Sequence, residues 1–181
     1  MPLAVAFAGK VGSGKTTITR PLAEALGWPR TSFGDYVRKV VRERGIPVTR
    51  HNLQVIGTQL LEADPRAFCS SVLSNCAWKA GQNLVIDGLR HTETVEVIRE
   101  LVRPAALRIV LISTPEATRT QRLKNRGEGS VHTIASIDTH SSEQQITSVL
   151  GNLADLVIDG AKPTEMVVAE LVQWIGSQSS G

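Results

Sequence analysis

The sequence is poor in aromatic residues and cysteine, and it has no long apolar run. Phe, Trp and Tyr make up 4% of its 181 residues, which argues against the aromatic platforms that bind single-stranded nucleic acids. Cys69 and Cys76 are the only cysteines, and because their spacing matches no metal or redox motif we expect two reduced thiols. No apolar run reaches the roughly 20 residues of a membrane-spanning helix. We therefore expect a cytoplasmic protein with no membrane partner.

The excess of one charge over the other is also small. Lys and Arg number 20 against 17 Asp and Glu, which gives a net charge of +3. This balance suits a small anionic ligand, whereas a nucleic-acid partner usually requires a broad basic surface. The composition thus favours a small-molecule partner over a nucleic acid, and it leaves both a monomer and a homodimer open.

What the sequence does contain is a regular alternation of short apolar runs and amphipathic segments. The runs predicted as strands are residues 3–8, 31–34, 84–87, 108–113 and 156–158. The segments predicted as helices are residues 15–26, 35–44, 49–63, 65–80, 93–102, 115–126, 141–152 and 164–175. Such alternation is typical of a parallel sheet with helices on both faces. We therefore predict a single α/β domain over residues 1–181, with an open, doubly wound, five-stranded parallel sheet.

The segment Gly9-Lys10-Val11-Gly12-Ser13-Gly14-Lys15-Thr16 matches the phosphate-binding loop (P-loop) pattern G-x-x-x-x-G-K-[ST] in full. It lies between a predicted strand and a predicted helix, where the backbone N–H groups of such a loop bind phosphate oxygens. The predicted ligands of the ATP phosphates are Gly9, Lys10, Val11, Gly12, Ser13, Gly14, Lys15, Thr16 and Thr17. Lys15 is expected to reach the β- and γ-phosphates as a catalytic residue, and the Thr16 hydroxyl is expected to bind Mg²⁺.

An acidic residue at the end of a buried strand is expected beside the metal. Asp87 ends the predicted strand 84–87, and we predict that it holds Mg²⁺ through water. One alternative is that Asp87 caps the following turn. Asp159, at the end of the last predicted strand, is the competing acid.

The P-loop alone does not define a reaction, because GTPases, motors and kinases share it. A GTPase would need an N-K-x-D segment to read its base, and the sequence has none. Four further features resemble the nucleoside monophosphate kinase group, which includes adenylate kinase, cytidylate kinase and dephospho-CoA kinase. They are the segment 32–38, the segment Asp87-Gly88-Leu89-Arg90, the arginines Arg119, Arg122 and Arg126, and the segment 155–159. The segment Thr49-Arg50-His51-Asn52-Leu53 also looks like the T-R-x-N-L hallmark of a subgroup of adenylate kinase-like ATPases.

The resemblance implies roles for four arginines. Arg38 and Arg90 would bind the phosphate of an acceptor, for which the bidentate guanidinium is well suited. Arg122 and Arg126 would be catalytic arginines beside a lid, and Arg122 would also contact the ATP phosphates. Their spacing of four residues places both on one helix face, although a solvated basic face is the alternative. The resemblance further implies a helical acceptor-site insert at about 34–64 and a short lid at about 127–137.

Asp35 has two interpretations, and the simpler one is favoured. It can cap the helix that begins there, or it can act as a general base that takes the proton of an acceptor hydroxyl. A nucleoside monophosphate is already ionised and needs no base, whereas a hydroxyl acceptor gains from one.

The leading hypothesis is an ATP- and Mg²⁺-dependent phosphotransferase whose acceptor is a phosphate-bearing small molecule. A nucleoside or deoxynucleoside monophosphate is the favoured acceptor. The alternatives are a dephospho-CoA kinase or another hydroxyl kinase, including a kinase of a modified nucleic-acid base, and a nucleotide-sensing regulator that is not an enzyme.

Overall fold

A computed structural model describes residues 1–127 and 150–179 of the chain. Five strands alternate with helices along these residues. The strands are β1 (Leu3–Ala8), β2 (Arg30–Ser32), β3 (Leu84–Leu89), β4 (Ala106–Ser113) and β5 (Leu156–Asp159). The helices are α1 (Lys15–Leu26), α2 (Phe33–Glu43), α3 (Arg50–Ala63), α4 (Pro65–Ser74), α5 (Glu93–Leu101), α6 (Glu116–Asn125), α7 (Gly151–Leu153) and α8 (Thr164–Ser179).

The sheet is parallel throughout and has the strand order β2-β3-β1-β4-β5. The predicted open, doubly wound parallel sheet is therefore confirmed. Strand β1 lies at its centre, and the chain continues to one side of β1 through β2 and β3 and to the other side through β4 and β5. The loop after β1 thus opens where the strand order reverses, which is where ligands bind in sheets of this kind.

Successive side chains of β1 pack on opposite faces of the sheet. Ala4, Ala6 and Ala8 belong to a core with residues of α2 to α5, and their small side chains allow these helices to lie close to the sheet. The intervening residues, 3, 5 and 7, are large and pack against α1 and α8. All six residues are buried, as expected for a strand covered on both faces. Each fully buried large side chain contributes about 1.5–3 kcal/mol to folding, so the centre of the sheet is a rigid base for the loop that follows it.

Several predicted bounds differ from the structure. Helix α4 ends at Ser74, not at residue 80, because the chain turns beyond Asn75 and the indole Nε1 of Trp78 donates to the carbonyl of Gln82 at 2.9 Å. Helix α8 extends four residues beyond the predicted end at Ile175. Helix α1 continues through Pro21, its seventh residue, so this proline does not lie in the first turn. The predicted helix 141–152 falls mostly outside the described residues, as does the predicted lid at 127–137.

The two cysteines are both free thiols in different surroundings. Cys69 is buried in α4, whereas Cys76 is half-buried and lies beyond the end of that helix. Burial raises the pKa of the Cys69 thiol to about 11. In the part of the chain that the structure describes, no helix combines the length and the apolar character needed to cross a membrane.

Candidate active site

The P-loop leaves β1 at Gly9 and leads into α1 at Lys15. Its tight course requires glycine at two positions in particular. Gly12 and Gly14 have φ angles of 81° and 92°, in the left-handed region that side chains disfavour. A Cβ at Gly12 would also lie 3.0 Å from the backbone oxygen of Arg119. The N-terminus of α1, with its unpaired N–H groups and partial positive charge, therefore points into the loop as an anion-binding position.

Lys15 and Thr16 are the last two residues of the P-loop motif and the first two residues of α1. The Lys15 ammonium donates to the carbonyls of Gly9 and, at 3.0 Å, of Lys10. The hydroxyl of Thr16 donates to Oδ2 of Asp87 at 2.9 Å. Asp87 is only 2% exposed, so a buried carboxylate lies directly beside the first turn of α1. The pair that the sequence predicts as metal-binding is thus brought together from β3 and α1.

A set of side chains from outside the P-loop holds its backbone in place. The buried guanidinium of Arg119 donates to the carbonyl of Val11 at 3.1 Å. The carbonyl of Ser13 accepts two hydrogen bonds of 3.1 Å, one from Nη1 of Arg122 and one from the hydroxyl of Thr114. Arg119 and Arg122 of α6 therefore both contact the predicted ATP-binding loop directly, through its carbonyl groups.

The turn after β5 is built tightly against the P-loop. Nη2 of Arg122 donates to the carbonyl of Gly160 at 2.8 Å. A Cβ at Gly160 would lie 2.3 Å from Oγ1 of Thr114 and 2.8 Å from the carbonyl oxygen of Ser13. This position in the turn therefore requires glycine, because any side chain would overlap Thr114 and the P-loop.

Asp35 does not cap helix α2, contrary to the favoured interpretation of the sequence. The cap is Ser32, whose hydroxyl accepts from the backbone N–H of Asp35 at 3.2 Å. Helix α2 begins two residues earlier than predicted, so Asp35 lies within its first turn and its carboxylate is available for other partners. That carboxylate pairs with the guanidinium groups of Arg38 and Arg30.

The two predicted acceptor arginines lie on different elements of the same cavity. Arg38 projects from α2 and is 42% exposed, and Arg90 follows β3 directly. Both line a cavity of about 630 Å³ that also reaches the P-loop and the first turn of α1. Arg126, at the end of α6, lies on the border of the same cavity. The structure thus brings together three predicted arginines that are up to 88 positions apart, since Arg38 and Arg126 share one lining.

The cavity also contains residues that sequence reasoning did not assign to the site. Arg50 lines it from the first turn of α3, in the T-R-x-N-L segment. The apolar part of the same lining, here called the apolar wall, consists of Phe33, Val37, Val48, Leu53 and Phe68. Arg30 does not line the cavity, but it pairs with Asp35 and Asp87. Sequence reasoning did not assign it to the site, because it directly precedes the predicted strand 31–34. A phosphate-sized anion and an apolar ring system could be held side by side in such a space.

A second cavity of about 260 Å³ lies on the other side of the P-loop. Gly14, Thr17 and Arg126 border both cavities, so the two spaces meet at the N-terminus of α1. The second cavity is otherwise lined by Arg122 of α6 and by Gly160, Lys162 and Thr164 around the start of α8. The donor loop is therefore open to a small molecule from two directions.

A P-loop at the centre of a five-stranded parallel sheet, with its lysine and threonine beside a buried aspartate, defines the P-loop NTPase fold. The chain belongs to the AAA domain family (AAA_18), whose profile matches residues 5–146.

Relatives of similar sequence are UPF0200 proteins of archaea. The chain is 34% identical over 126 residues to the UPF0200 protein of Aeropyrum pernix, a match that covers 68% of this chain and 65% of that protein. It is 32% identical over 126 residues to the UPF0200 protein TK1334 of Thermococcus kodakarensis, with 68% of each chain covered. The matched part is thus slightly less than two thirds of the Aeropyrum pernix relative.

Solved structures with a similar fold include two kinases. A shikimate kinase from Acinetobacter baumannii in complex with shikimate superimposes with a TM-score of 0.67 at 17% identity, over 98% of this chain and 95% of that one. A gluconokinase from Sinorhizobium meliloti gives a TM-score of 0.53 at 20% identity, over 98% of both chains. At these identities the likeness shows the fold alone.

Proposed function

We propose that the protein is an ATP-dependent phosphotransferase that moves the γ-phosphoryl group of ATP to a phosphate-bearing small molecule. The observation that carries the proposal is the shared cavity of about 630 Å³, which is lined both by the P-loop and by three arginines outside it, Arg38, Arg50 and Arg90. A protein that only bound or hydrolysed ATP would have no need of this second cationic group. Phosphoryl transfer depends mainly on positioning and charge stabilisation, and both are available where the two groups face each other.

The donor half consists of residues 9–17 and Asp87. Backbone N–H groups of the loop would bind the β- and γ-phosphates, and the smaller cavity beside Gly14 and Lys162 would accept the nucleoside. Lys15, which donates to loop carbonyls in this structure, would turn to the phosphate oxygens. Arg122 already contacts the loop carbonyl at Ser13, so a short movement would suffice for it to reach a phosphate.

The oxygen donors beside the loop fit Mg²⁺. The Thr16 hydroxyl and the Asp87 carboxylate are 2.9 Å apart, and Mg²⁺ prefers oxygen ligands and keeps several of its waters. Thr16 would hold the ion directly and Asp87 through water. When bound, Mg²⁺ neutralises phosphate charge and thereby makes the γ-phosphorus easier to attack.

The acceptor half consists of α2, the N-terminal part of α3, and Arg90. Its arginines would bind the acceptor's phosphate bidentately, and the apolar wall would hold the rest of the molecule. This combination suits a nucleoside or deoxynucleoside monophosphate, whose base is flat and largely apolar on its faces. The resemblance of the segments 32–38 and 87–90 to nucleoside monophosphate kinases supports the same acceptor class.

A hydroxyl acceptor is the second candidate, and one observation favours it. The Asp35 carboxylate is not used as a cap, is 37% exposed, and lies in the first turn of α2 beside the cavity-lining residues Gly34 and Arg38. It could accept the proton of an attacking hydroxyl. Two neighbours in fold are named as kinases of shikimate and gluconate, which both present hydroxyl groups and a carboxylate. Dephospho-CoA would satisfy this alternative and the phosphate-binding arginines together.

The proposal is tested by incubating the protein with MgATP and a panel of acceptors while ADP release is followed. The panel contains the common ribo- and deoxyribonucleoside monophosphates, dephospho-CoA, shikimate, gluconate and a single-stranded oligonucleotide. We expect one phosphate-bearing small molecule to raise turnover at least tenfold above the rate with ATP alone. If every acceptor leaves the basal rate unchanged, the protein is not a kinase of these classes, and a nucleotide-sensing regulator becomes the better explanation.

A further inference from the structure

Arg30 joins the carboxylates of the donor and acceptor halves. From the start of β2, its Nη2 pairs with Oδ2 of Asp87 and its Nη1 lies 3.3 Å from Oδ2 of Asp35. Its Nε donates to the hydroxyl of Thr19 in α1 at 3.0 Å. The Arg30 side chain is 14% exposed and that of Asp87 is 2% exposed, so water screens this pair weakly. One side chain therefore contacts α1, β3 and α2 at the point where the two halves meet.

The charges of this group cancel. Two carboxylates, Asp35 and Asp87, are paired with two guanidinium groups, Arg30 and Arg38. A group with no net charge has little attraction for a free divalent cation. The same oxygen of Asp87, Oδ2, accepts both from Arg30 and from the hydroxyl of Thr16. A cation that approached Asp87 and Thr16 by itself would thus meet a fixed positive charge at the carboxylate it needs.

We propose that Arg30 is a positioning residue that makes metal binding depend on the nucleotide. It acts as an internal counter-cation for Asp87, so the protein binds no divalent ion there until ATP supplies additional negative charge. The phosphates of ATP then outweigh the repulsion from Arg30, and the ion enters as the MgATP complex. Since Arg30 also contacts Asp35, the metal-facing and acceptor-facing carboxylates are held in one arrangement while this happens.

Arginine suits both parts of this role, the counter-charge and the contacts with three partners. Its planar guanidinium presents several N–H donors in a rigid fork and stays charged at every relevant pH. Three of its nitrogens reach three different acceptors, on Thr19, Asp35 and Asp87. Lysine would keep the charge but could not reach all three from one point. A purely structural role, in which Arg30 only ties α1, β2 and β3 together, is the alternative that an experiment must separate.

Mn²⁺ binding to the nucleotide-free, full-length protein separates the two roles, with free Mn²⁺ followed by electron paramagnetic resonance. For wild type we expect no binding at Asp87 below millimolar Mn²⁺. Arg30→Met removes the counter-charge and leaves the Asp87 carboxylate beside the Thr16 hydroxyl without a cationic partner from Arg30, so we expect binding that is at least about tenfold tighter. Adding Asp87→Asn to Arg30→Met should return the affinity to the wild-type value, and Arg30→Lys should stay close to wild type. Arg99→Met, which removes an exposed arginine paired with Glu96, is the matched control and should change nothing.

Two results would overturn the inference. One is a folded Arg30→Met protein, verified by circular dichroism, that binds Mn²⁺ no more tightly than wild type. The other is a wild-type protein that binds Mn²⁺ as tightly without ATP as with it, and this result needs no variant to fold. The inference rests on the donor site of the proposed kinase, but Mn²⁺ binding requires neither an acceptor nor turnover. Its failure is therefore distinguishable from failure of the acceptor panel.

Discussion

The donor and acceptor halves of the cleft are built in different ways. The donor half is one continuous loop whose backbone would bind the ligand. Side chains of α6 and of the residue after β4 hold this loop through hydrogen bonds to Val11 and Ser13, and the turn after β5 accepts from Arg122. The acceptor half is made of side chains from α2, α3 and the end of β3, and within it Asp35 is paired with Arg38 and with Arg30. A backbone site binds any polyphosphate, whereas a side-chain site can be changed residue by residue. Under the proposed function, the first half would therefore define the donor and the second half would select the acceptor.

Removal of the P-loop lysine should have the largest effect. Lys15→Ala should lower turnover by about 10³-fold or more, because a preorganised cation at a developing phosphate charge typically contributes a factor of this size. The melting temperature should change by only a few degrees, and Lys79→Ala, on the surface far from the cleft, serves as the control. Steady-state ADP release and thermal denaturation measure both quantities. Activity that survives Lys15→Ala would remove this residue from the mechanism and weaken the distinction between the halves.

Gly160→Ala should damage the donor half from outside the loop. The added methyl group would lie 2.6 Å from Cγ2 of Ile112 and 2.8 Å from the Ser13 carbonyl, so the turn and the P-loop must separate. We expect a loss of stability of about 1–3 kcal/mol, as for other overpacked sites, and ATP binding at least tenfold weaker by calorimetry. Gly176→Ala is the matched control, because nothing lies within 4 Å of its added Cβ. Equal behaviour of the two variants would mean that the turn does not support the loop.

Arg38→Ala should sharpen the comparison, because it should affect one substrate only. Loss of a charge-assisted hydrogen bond costs about 1.5–3 kcal/mol, so the KM for the acceptor should rise by roughly tenfold or more. The KM for ATP should stay within about twofold. Arg42→Ala, one turn further along α2 and exposed, controls for the loss of a charge on this helix. An equal loss for ATP and acceptor would show that Arg38 does not belong to a separate acceptor half.

The smallest expected effect concerns Cys69, which packs in the core beneath the acceptor half. Burial raises the pKa of its thiol from an ordinary value of about 9 to about 11. A raised pKa in the folded state means that the unfolded thiol ionises first, so stability falls as the pH rises from about 9 to about 11. The loss attributable to Cys69 should be about 1 kcal/mol at pH 10. Denaturant unfolding at pH 8 and pH 10 should show this decrease in the free energy of unfolding of the wild type. In Cys69→Ala the decrease between the two pH values should be smaller by about 1 kcal/mol.

The donor half could be predicted from sequence because it is local. The residues predicted to bind the phosphates all lie within residues 9–17, between the buried strand β1 and the helix α1. The parallel sheet could be predicted for the same reason, since every strand except β2, which has the sequence Arg-Thr-Ser, is a short apolar run. Asp87 could also be identified as a candidate metal-binding residue, because it ends the apolar run predicted as the strand 84–87.

The acceptor half could be predicted only in part, since it depends on packing between distant segments. Asp35 was interpreted as a cap because it precedes an amphipathic run, but Ser32 is in a better position and takes that role. Arg30 attracted no attention because its partners, Thr19, Asp35 and Asp87, meet it only after β2 pairs with β3. Residues of the apolar wall such as Phe33, Leu53 and Phe68 have the spacing of ordinary core residues, and nothing in the sequence distinguishes them from the core.

The central claim is that the two halves exchange a phosphoryl group, and the fate of the γ-phosphorus tests it most directly. The protein is incubated with γ-labelled ³²P-ATP and the acceptor that gives the highest ADP release, and the products are separated by chromatography. Our account predicts that the label appears on the acceptor in an amount equal to the ADP formed. Label that appears only as inorganic phosphate, at a rate that the acceptor does not change, would contradict it.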